Sequence, residues 1–188
     1  MGDAITSLRE DHRRVEKLFK EFEKLQKNDA PASRKRAVVE QMIEELSVHA
    51  TVEEQLFYPA VRADVEEAED VVLEGLEEHH IVKWTLSELA GMNGDEERFD
   101  AKVTVLMESV RHHVEEEEGE MFPKVREAIG RKDLVALYEQ MEEARAKAPA
   151  QPRPKAPDEP PANLDTLNDD TKERGGLFGL GRARTGTK

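Results

Sequence analysis

The segment His49–Pro59, HATVEEQLFYP, recurs at His113–Pro123 as HVEEEEGEMFP, and the two copies align without a gap. His49 falls on His113, Glu53 on Glu117, Glu54 on Glu118, Phe57 on Met121, Tyr58 on Phe122 and Pro59 on Pro123. The match runs on through Val61/Val125 and Arg62/Arg126. Residues four apart on an α-helix lie one above the other on a single face, so each copy aims an imidazole and a carboxylate in one direction. Two such units turned toward each other form a metal site. The spacing alone is common where 42 of 188 residues are acidic, and His12 and His112 also have a Glu four places on. The repetition and the shared proline are the specific features.

Helical periodicity runs through the first three quarters of the chain. Ile5, Leu8, His12, Val15, Phe19 and Phe22 share one stripe, with Asp3 as N-cap and Asn28-Asp29-Ala30-Pro31 as the stop. A second helix starts near Ser33 and carries Val39, Met42, Leu46, His49, Glu53, Leu56 and Ala60. After a turn at Asp64, with Glu67 placed to complete a capping box, a third carries Val72, Leu76, His79, Val82, Leu86 and Leu89. Gly91-Met92-Asn93-Gly94 breaks it, Asp95 caps the next, and a fourth carries Phe99, Val103, Leu106, Val110, His113, Glu117 and Met121 as far as Ile129. Pro59 and Pro123 lie inside helical patterns and are expected to kink them.

Antiparallel helices bring two residues to one height when both are equally far from the connecting loop. The midpoint between His12 and His49 falls at Ala30/Pro31, between His49 and His79 at Asp64, and between His79 and His113 at Glu96. All four therefore sit at one level of an all-α, up-down-up-down four-helix bundle spanning residues 1–130. Residues 131–148 read as an additional short fifth helix with Leu134, Leu137, Tyr138 and Met141. Residues 149–188 are rich in Pro, Ala, Asp, Thr and Gly and read as a disordered tail. Its ending, GGLFGLGRARTGTK, offers a docking peptide for a protein partner or an anionic lipid, though a solvated tail fits its composition better.

Without cysteine there are no disulfides, thiolate zinc sites, iron–sulfur clusters or cysteine nucleophiles, so any metal is held by nitrogen and oxygen. The net charge of −14 argues against nucleic acid as partner. Residues from Ala146 onward carry 8 basic and 6 acidic groups, which leaves 20 and 36, a net of −16, for the first 145. No apolar run is long enough to span a membrane and the N-terminus lacks a signal-peptide core, so a cytoplasmic location is expected.

Glu53 and Glu117 fall on core stripes that carry no Lys or Arg. An ionised carboxylate removed from water costs several kcal/mol unless paired, and a cation supplies the partner. Four imidazoles and two carboxylates exceed what one tetrahedral ion takes, so two ions sharing carboxylates are expected, and imidazole with carboxylate suits iron. His80 and His112 fall off the apolar stripes, at positions beside a ligand or on the surface. Glu118 is an alternative bridge, and Tyr58 reads as core with a hydroxyl that could reach a bound oxidant.

DHRRV at Asp11, HATVEEQLFYP at His49, EHHIV at Glu78 and HHVEEEEGEMFP at His112 resemble, in this order, the hemerythrin-like family, or HHE cation-binding domain. The resemblance covers roughly residues 5–129. It implies a non-haem di-iron centre with an oxo or hydroxo bridge and ligands at His12, His49, Glu53, His79, His113 and Glu117. Oxygen carriers of that family have another His one turn before the third-helix ligand, where this chain has Gly75. Reduction of dioxygen, peroxide or nitric oxide, with slow catalase-like or oxidase-like turnover, is therefore expected ahead of stable oxygen carriage. The alternative is a non-catalytic oxygen- or iron-sensing or storage module acting through a protein partner.

Overall fold

The computed structural model describes residues 2–152, and among them every regular element is helical. Helix α1 (Ala4–Lys27) opens on Asp3, whose carboxylate accepts the Thr6 N–H at 2.9 Å and satisfies one of the free donors of the first turn. Helix α2 (Ala32–Val52) runs back along it, passes through a wide π-helical turn at Glu53–Phe57 and continues as α3 (Tyr58–Asp64). Helix α4 (Glu69–Ala90) follows a short 3₁₀ turn, and α5 (Phe99–Glu116) likewise passes through a π-helical turn, Glu117–Met121, into α6 (Phe122–Ala128). Helix α7 (Arg131–Arg145) closes the described chain. The expected bundle with its short fifth helix is observed; the tail ending in GGLFGLGRARTGTK lies from residue 153 on outside the described residues.

Two local expectations are corrected. No side chain caps α4 at Ala68, so the Asp64/Glu67 capping box does not form. Asp95 does not cap α5, which begins at Phe99 after Arg98, and Gly94 packs against the Ala32 carbonyl at the start of α2 with no room for a Cβ. At the prolines the helices widen. The Tyr58 N–H bonds the Glu53 carbonyl and the Phe122 N–H bonds that of Glu117, each five residues back. These turns widen the helix just before Pro59 and Pro123, where a tight turn would drive the ring into the carbonyl four residues back. The extra residue shifts the helical phase, so Phe57, Tyr58 and Val61 are buried while Leu56 and Ala60, on the uninterrupted stripe, are only partly so. In the second copy Met121, Phe122 and Val125 are buried in the same way.

The apolar core is divided in two. One part, with Val15, Phe19, Phe22, Met42, Leu46, Leu86, Phe99 and Leu106, fills the end of the bundle nearest the α1–α2 and α4–α5 loops. The other gathers Ile5, Leu8, Phe57, Tyr58, Val61, Leu76, Phe122 and Val125 at the opposite end, where Leu134, Leu137 and Met141 of α7 complete it. Between the two lies a layer of buried polar side chains.

Candidate metal centre

That layer holds Asp11, His12, His49, Glu53, His79, His113 and Glu117, none more than 6% exposed. The six residues expected to bind metal are thus brought together, and their donor atoms form two groups. His12, His49, Glu53 and Glu117 converge in one, and Glu53, His79 and His113 in the other, each with donor atoms within 4.8 Å of one another. Glu53 belongs to both. Its Oε2 lies 2.9 Å from His49 Nε2 and 3.4 Å from His79 Nε2, while Glu117 Oε2 lies 3.3 Å from His12 Nε2 and 3.7 Å from His113 Nε2.

The outward nitrogens follow one rule. His12 Nδ1 lies 2.9 Å from Glu118, His49 Nδ1 3.3 Å from Asp11, His79 Nδ1 3.1 Å from Glu54 and His113 Nδ1 2.6 Å from Glu78. A carboxylate only accepts, so each Nδ1 carries the proton, and in a neutral ring this leaves the Nε2 lone pair facing the centre. The four carboxylates make a closed circuit, each orienting a histidine on the next helix: from α1 to α2, from the π-helical turn after α2 to α4, from α4 to α5, and from the π-helical turn after α5 back to α1. Glu54 and Glu118 are repeat equivalents one residue after the inner glutamates; Asp11 and Glu78 each precede the lone histidine of their half. Glu118 therefore orients His12 and is held 3.4 Å from Arg9, not placed as a bridge. Asp11, Glu54 and Glu78 were missed by the sequence reading, although their acidic character at matched positions of the two halves was visible in it.

Flanking rings repeat the symmetry with one exception. Phe122 stacks on His12 at 5.9 Å between centroids and its equivalent Tyr58 lies against His79 at 5.5 Å. The Tyr58 hydroxyl donates to Glu117 Oε1 at 2.9 Å. It lies over Gly75, where a Cβ would come within 3.0 Å of it. Burial and the neighbouring Glu117 and Glu53 raise the phenol pKa well above 10, so Tyr58 keeps its proton. His80 is half-buried. His112 is 62% exposed and pairs with Glu116 at 3.4 Å, away from the centre.

Both Glu53 oxygens, Glu117 Oε2 and His12 Nε2 are buried without a hydrogen bond. Such orphaned anionic oxygens facing imidazole nitrogens, in a setting free of thiolates, fit first-row transition metal ions bound by nitrogen and oxygen. Without metal, protons take over part of that neutralising role. Burial alone would lower the His49 pKa, but Glu53 and Asp11 outweigh it and raise it to about 10. His113 is raised against the same opposition from burial, chiefly by Glu117. Glu117, which burial would push up, is held well below the usual carboxylate range by His113, His12 and His49.

These shifts have a signed consequence. A raised histidine pKa favours the metal-free fold fully below the unfolded value of about 6.5, and this contribution is lost as pH rises toward the folded one. The metal-free protein is therefore expected to melt at progressively lower temperature from about pH 7 toward 10, more steeply than the loaded protein. Metal must also displace the Nε2 protons. Uptake at pH 7 should release at least one proton per chain to an indicator dye, and uptake without release would mean that the ions bind elsewhere.

Among the described residues no helix is long and apolar enough to cross a membrane. The sequence pattern of the hemerythrin HHE cation-binding domain matches residues 3–125. An uncharacterized hemerythrin-like protein of Schizosaccharomyces pombe is 26% identical over 162 residues, 86% of this chain and 76% of its own length. A DNA nickase of Nostoc is 26% identical over 140 residues; the match takes in 74% of this chain but only 38% of the nickase. Among solved structures, a hemerythrin HHE cation-binding domain-containing protein of Mycobacterium kansasii superposes with a TM-score of 0.63 at 25% identity, covering 78% of this chain and 90% of the other.

Proposed function

Since this chain belongs to the hemerythrin HHE cation-binding family and is a metal-binding domain, we propose that its buried centre holds two iron ions and uses them to bind and reduce a small oxidant. Dioxygen, peroxide and nitric oxide are the candidates, in the handling of oxidative stress. The observation that carries this reading is the inequality of the two donor groups. One offers four protein donors and the other only three, and Gly75, one turn before His79, contributes no side chain to the second. A metal site that takes on outside ligands keeps such an open position.

The space beside the histidines supports the same reading. A partly open cavity of about 20 Å³ is bounded by His12, His49, His79 and His113 with Val15, Leu46, Val82 and Val110. It exceeds the roughly 10–15 Å³ that one water molecule needs, so it has room for a ligand of about that size. His12, Val15, Val110 and Val114 form a wall shared with a groove of about 560 Å³ between α1 and α5, a short way in from solvent.

When bound, a pair of iron ions supplies two-electron exchange, which protein side chains lack. The chain's own residues hold and orient. The four Nε2 atoms face the centre, the Nδ1 carboxylates keep the rings turned, and Tyr58 keeps a proton 2.9 Å from Glu117. In peroxide consumption one peroxide is reduced to two waters while a second is oxidised to dioxygen, so electrons and protons balance without an outside donor.

Metal analysis should return two irons per chain after iron-replete expression, and the reduced protein mixed anaerobically with peroxide should consume it with release of dioxygen. A stoichiometry near one, or zinc in place of iron, would defeat the di-iron reading. Fully reversible dioxygen binding with no peroxide turnover would favour the non-catalytic alternative, a sensing or storage module. One observation favours that alternative: α7, beyond the matched family region, touches a residue that orients His49.

A further inference from the structure

Of the four carboxylates that orient the histidines, Asp11 alone is held by a cation from outside the four-helix bundle. Arg145, in the last turn of α7, places Nη2 2.7 Å from Asp11 Oδ2 and 3.4 Å from Ser7 Oγ. The same Oδ2 faces His49 Nδ1 at 3.3 Å, while Arg14 takes the other oxygen, Oδ1. The basic side chains near the other three belong to the bundle itself: Lys83 at 2.8 Å from Glu54, Arg9 at 3.4 Å from Glu118 and the exposed His112 imidazole at 3.7 Å from Glu78.

We propose that Arg145 is a positioning residue for the metal centre, acting through Asp11 on His49, and that α7 thereby couples its own docking to occupancy of the donor group containing His12 and His49. This inference rests on the metal-binding reading but not on the metal being iron or on any oxidant chemistry.

The physical case has three parts. Asp11 is 1% exposed, so a carboxylate there requires compensation, and removing one cation leaves Oδ2 with an unbalanced share of charge. The oxygen Arg145 holds is the one that sets the tilt of His49, and hence the direction of its Nε2 lone pair. Finally, Leu134, Leu137 and Met141 seat α7 independently of the arginine, so Arg145 can be changed without undocking the helix. The coupling must also run in reverse: if α7 docking favours metal, metal favours α7 docking by the same factor.

Cobalt(II) is the probe, because its absorption reports ligand geometry without turnover. The full chain is loaded with cobalt and the ions are then withdrawn by excess chelator. Partners that touch a ligand directly are worth about 10–100-fold in metal affinity, so a group one step further out should count for less. In Arg145→Leu one of the two ions should leave about threefold to tenfold faster, with an altered spectrum, while the other leaves at the wild-type rate; the metal-free protein should melt somewhat lower, with Arg14 and His49 left to compensate Asp11 in part. Arg145→Lys, which keeps the cation, should lie close to wild type. In the wild type, amide exchange in α7 should slow on cobalt loading, and in Arg145→Leu it should not.

Wild-type release rates and spectrum in Arg145→Leu would overturn the inference alone. Equal acceleration of both ions together with a large loss of melting temperature would do the same, since that marks general loosening. Failure of Arg145→Lys to restore retention would remove the electrostatic coupling. A wild-type protein that takes up no cobalt would overturn the metal-binding reading itself, and this inference with it.

Discussion

Glu53→Gln is expected to cut bound metal from the two ions per chain proposed above to fewer than one, the largest loss from any single donor. Glu53 is the one residue common to both donor groups, and both of its oxygens are buried without a hydrogen bond. Glutamine keeps the shape but removes the charge and one of the two oxygens, so a single neutral oxygen remains where two cations would share a carboxylate. Glu117→Gln touches chiefly the His12/His49 group and should spare part of the metal bound by His79 and His113. The metal-free fold is expected to respond the other way. Removing a buried carboxylate that only protonated histidines compensate costs little, and replacing buried charges is often neutral or stabilising. Metal content and metal-free melting, measured on both variants, check this. Retention of two ions by Glu53→Gln would show that the carboxylate does not bridge.

The second large effect is a reversal of sign at Gly75. In most helix interiors Gly→Ala stabilises by up to about 1 kcal/mol, since glycine has more backbone freedom to lose. At Gly75 the new Cβ would lie 3.0 Å from the Tyr58 hydroxyl and 3.4 Å from His113 Cε1. Tyr58 is wholly buried and tied to Glu117, so it has nowhere to retreat. Overpacking of this kind costs about 1–3 kcal/mol. Gly75→Ala is thus expected to lower the melting temperature by several degrees and to disturb metal retention through Glu117 and His113. With Tyr58→Phe already present, the hydroxyl is gone and the same substitution should become neutral or stabilising. A double-mutant cycle should give a coupling of about 1 kcal/mol or more. Effects that simply add would mean the hydroxyl and the missing Cβ do not share one space.

The pairing of Gly75 with Tyr58 also explains where the two halves of the chain part company. One turn before the lone histidine of the first half stands Leu8, and the ring over that histidine is Phe122; in the second half the corresponding residues are Gly75 and Tyr58. Loss of a side chain on one helix and gain of a hydroxyl on another are one exchange of volume. From the sequence, Gly75 read as an absent imidazole and Tyr58 as a core ring. Their mutual fit required α3 and α4 to be set side by side.

The repeat, the stripes and the equal spacing of four histidines about three loops determined the helical bundle and the residues at its centre before any coordinates. Those signals are periodic, and periodicity alone sets which face of a helix turns inward and at what height. The two π-helical turns were not legible, since Pro59 and Pro123 signal a disturbance without saying that the turn before each one widens, and the shift that buried Phe57 and Val61 followed from that widening. Nor were the partners of the Nδ1 atoms. Asp11, Glu54, Glu78 and Glu118 stand among 42 acidic residues, and each acts on a neighbouring helix through a hydrogen bond whose reach depends on helix rotation and separation. The grip of Arg145 on Asp11 spans 134 positions of sequence and carries no periodic mark at all. Which residues face inward was a property of each helix separately; which of them meet was decided only when the helices packed.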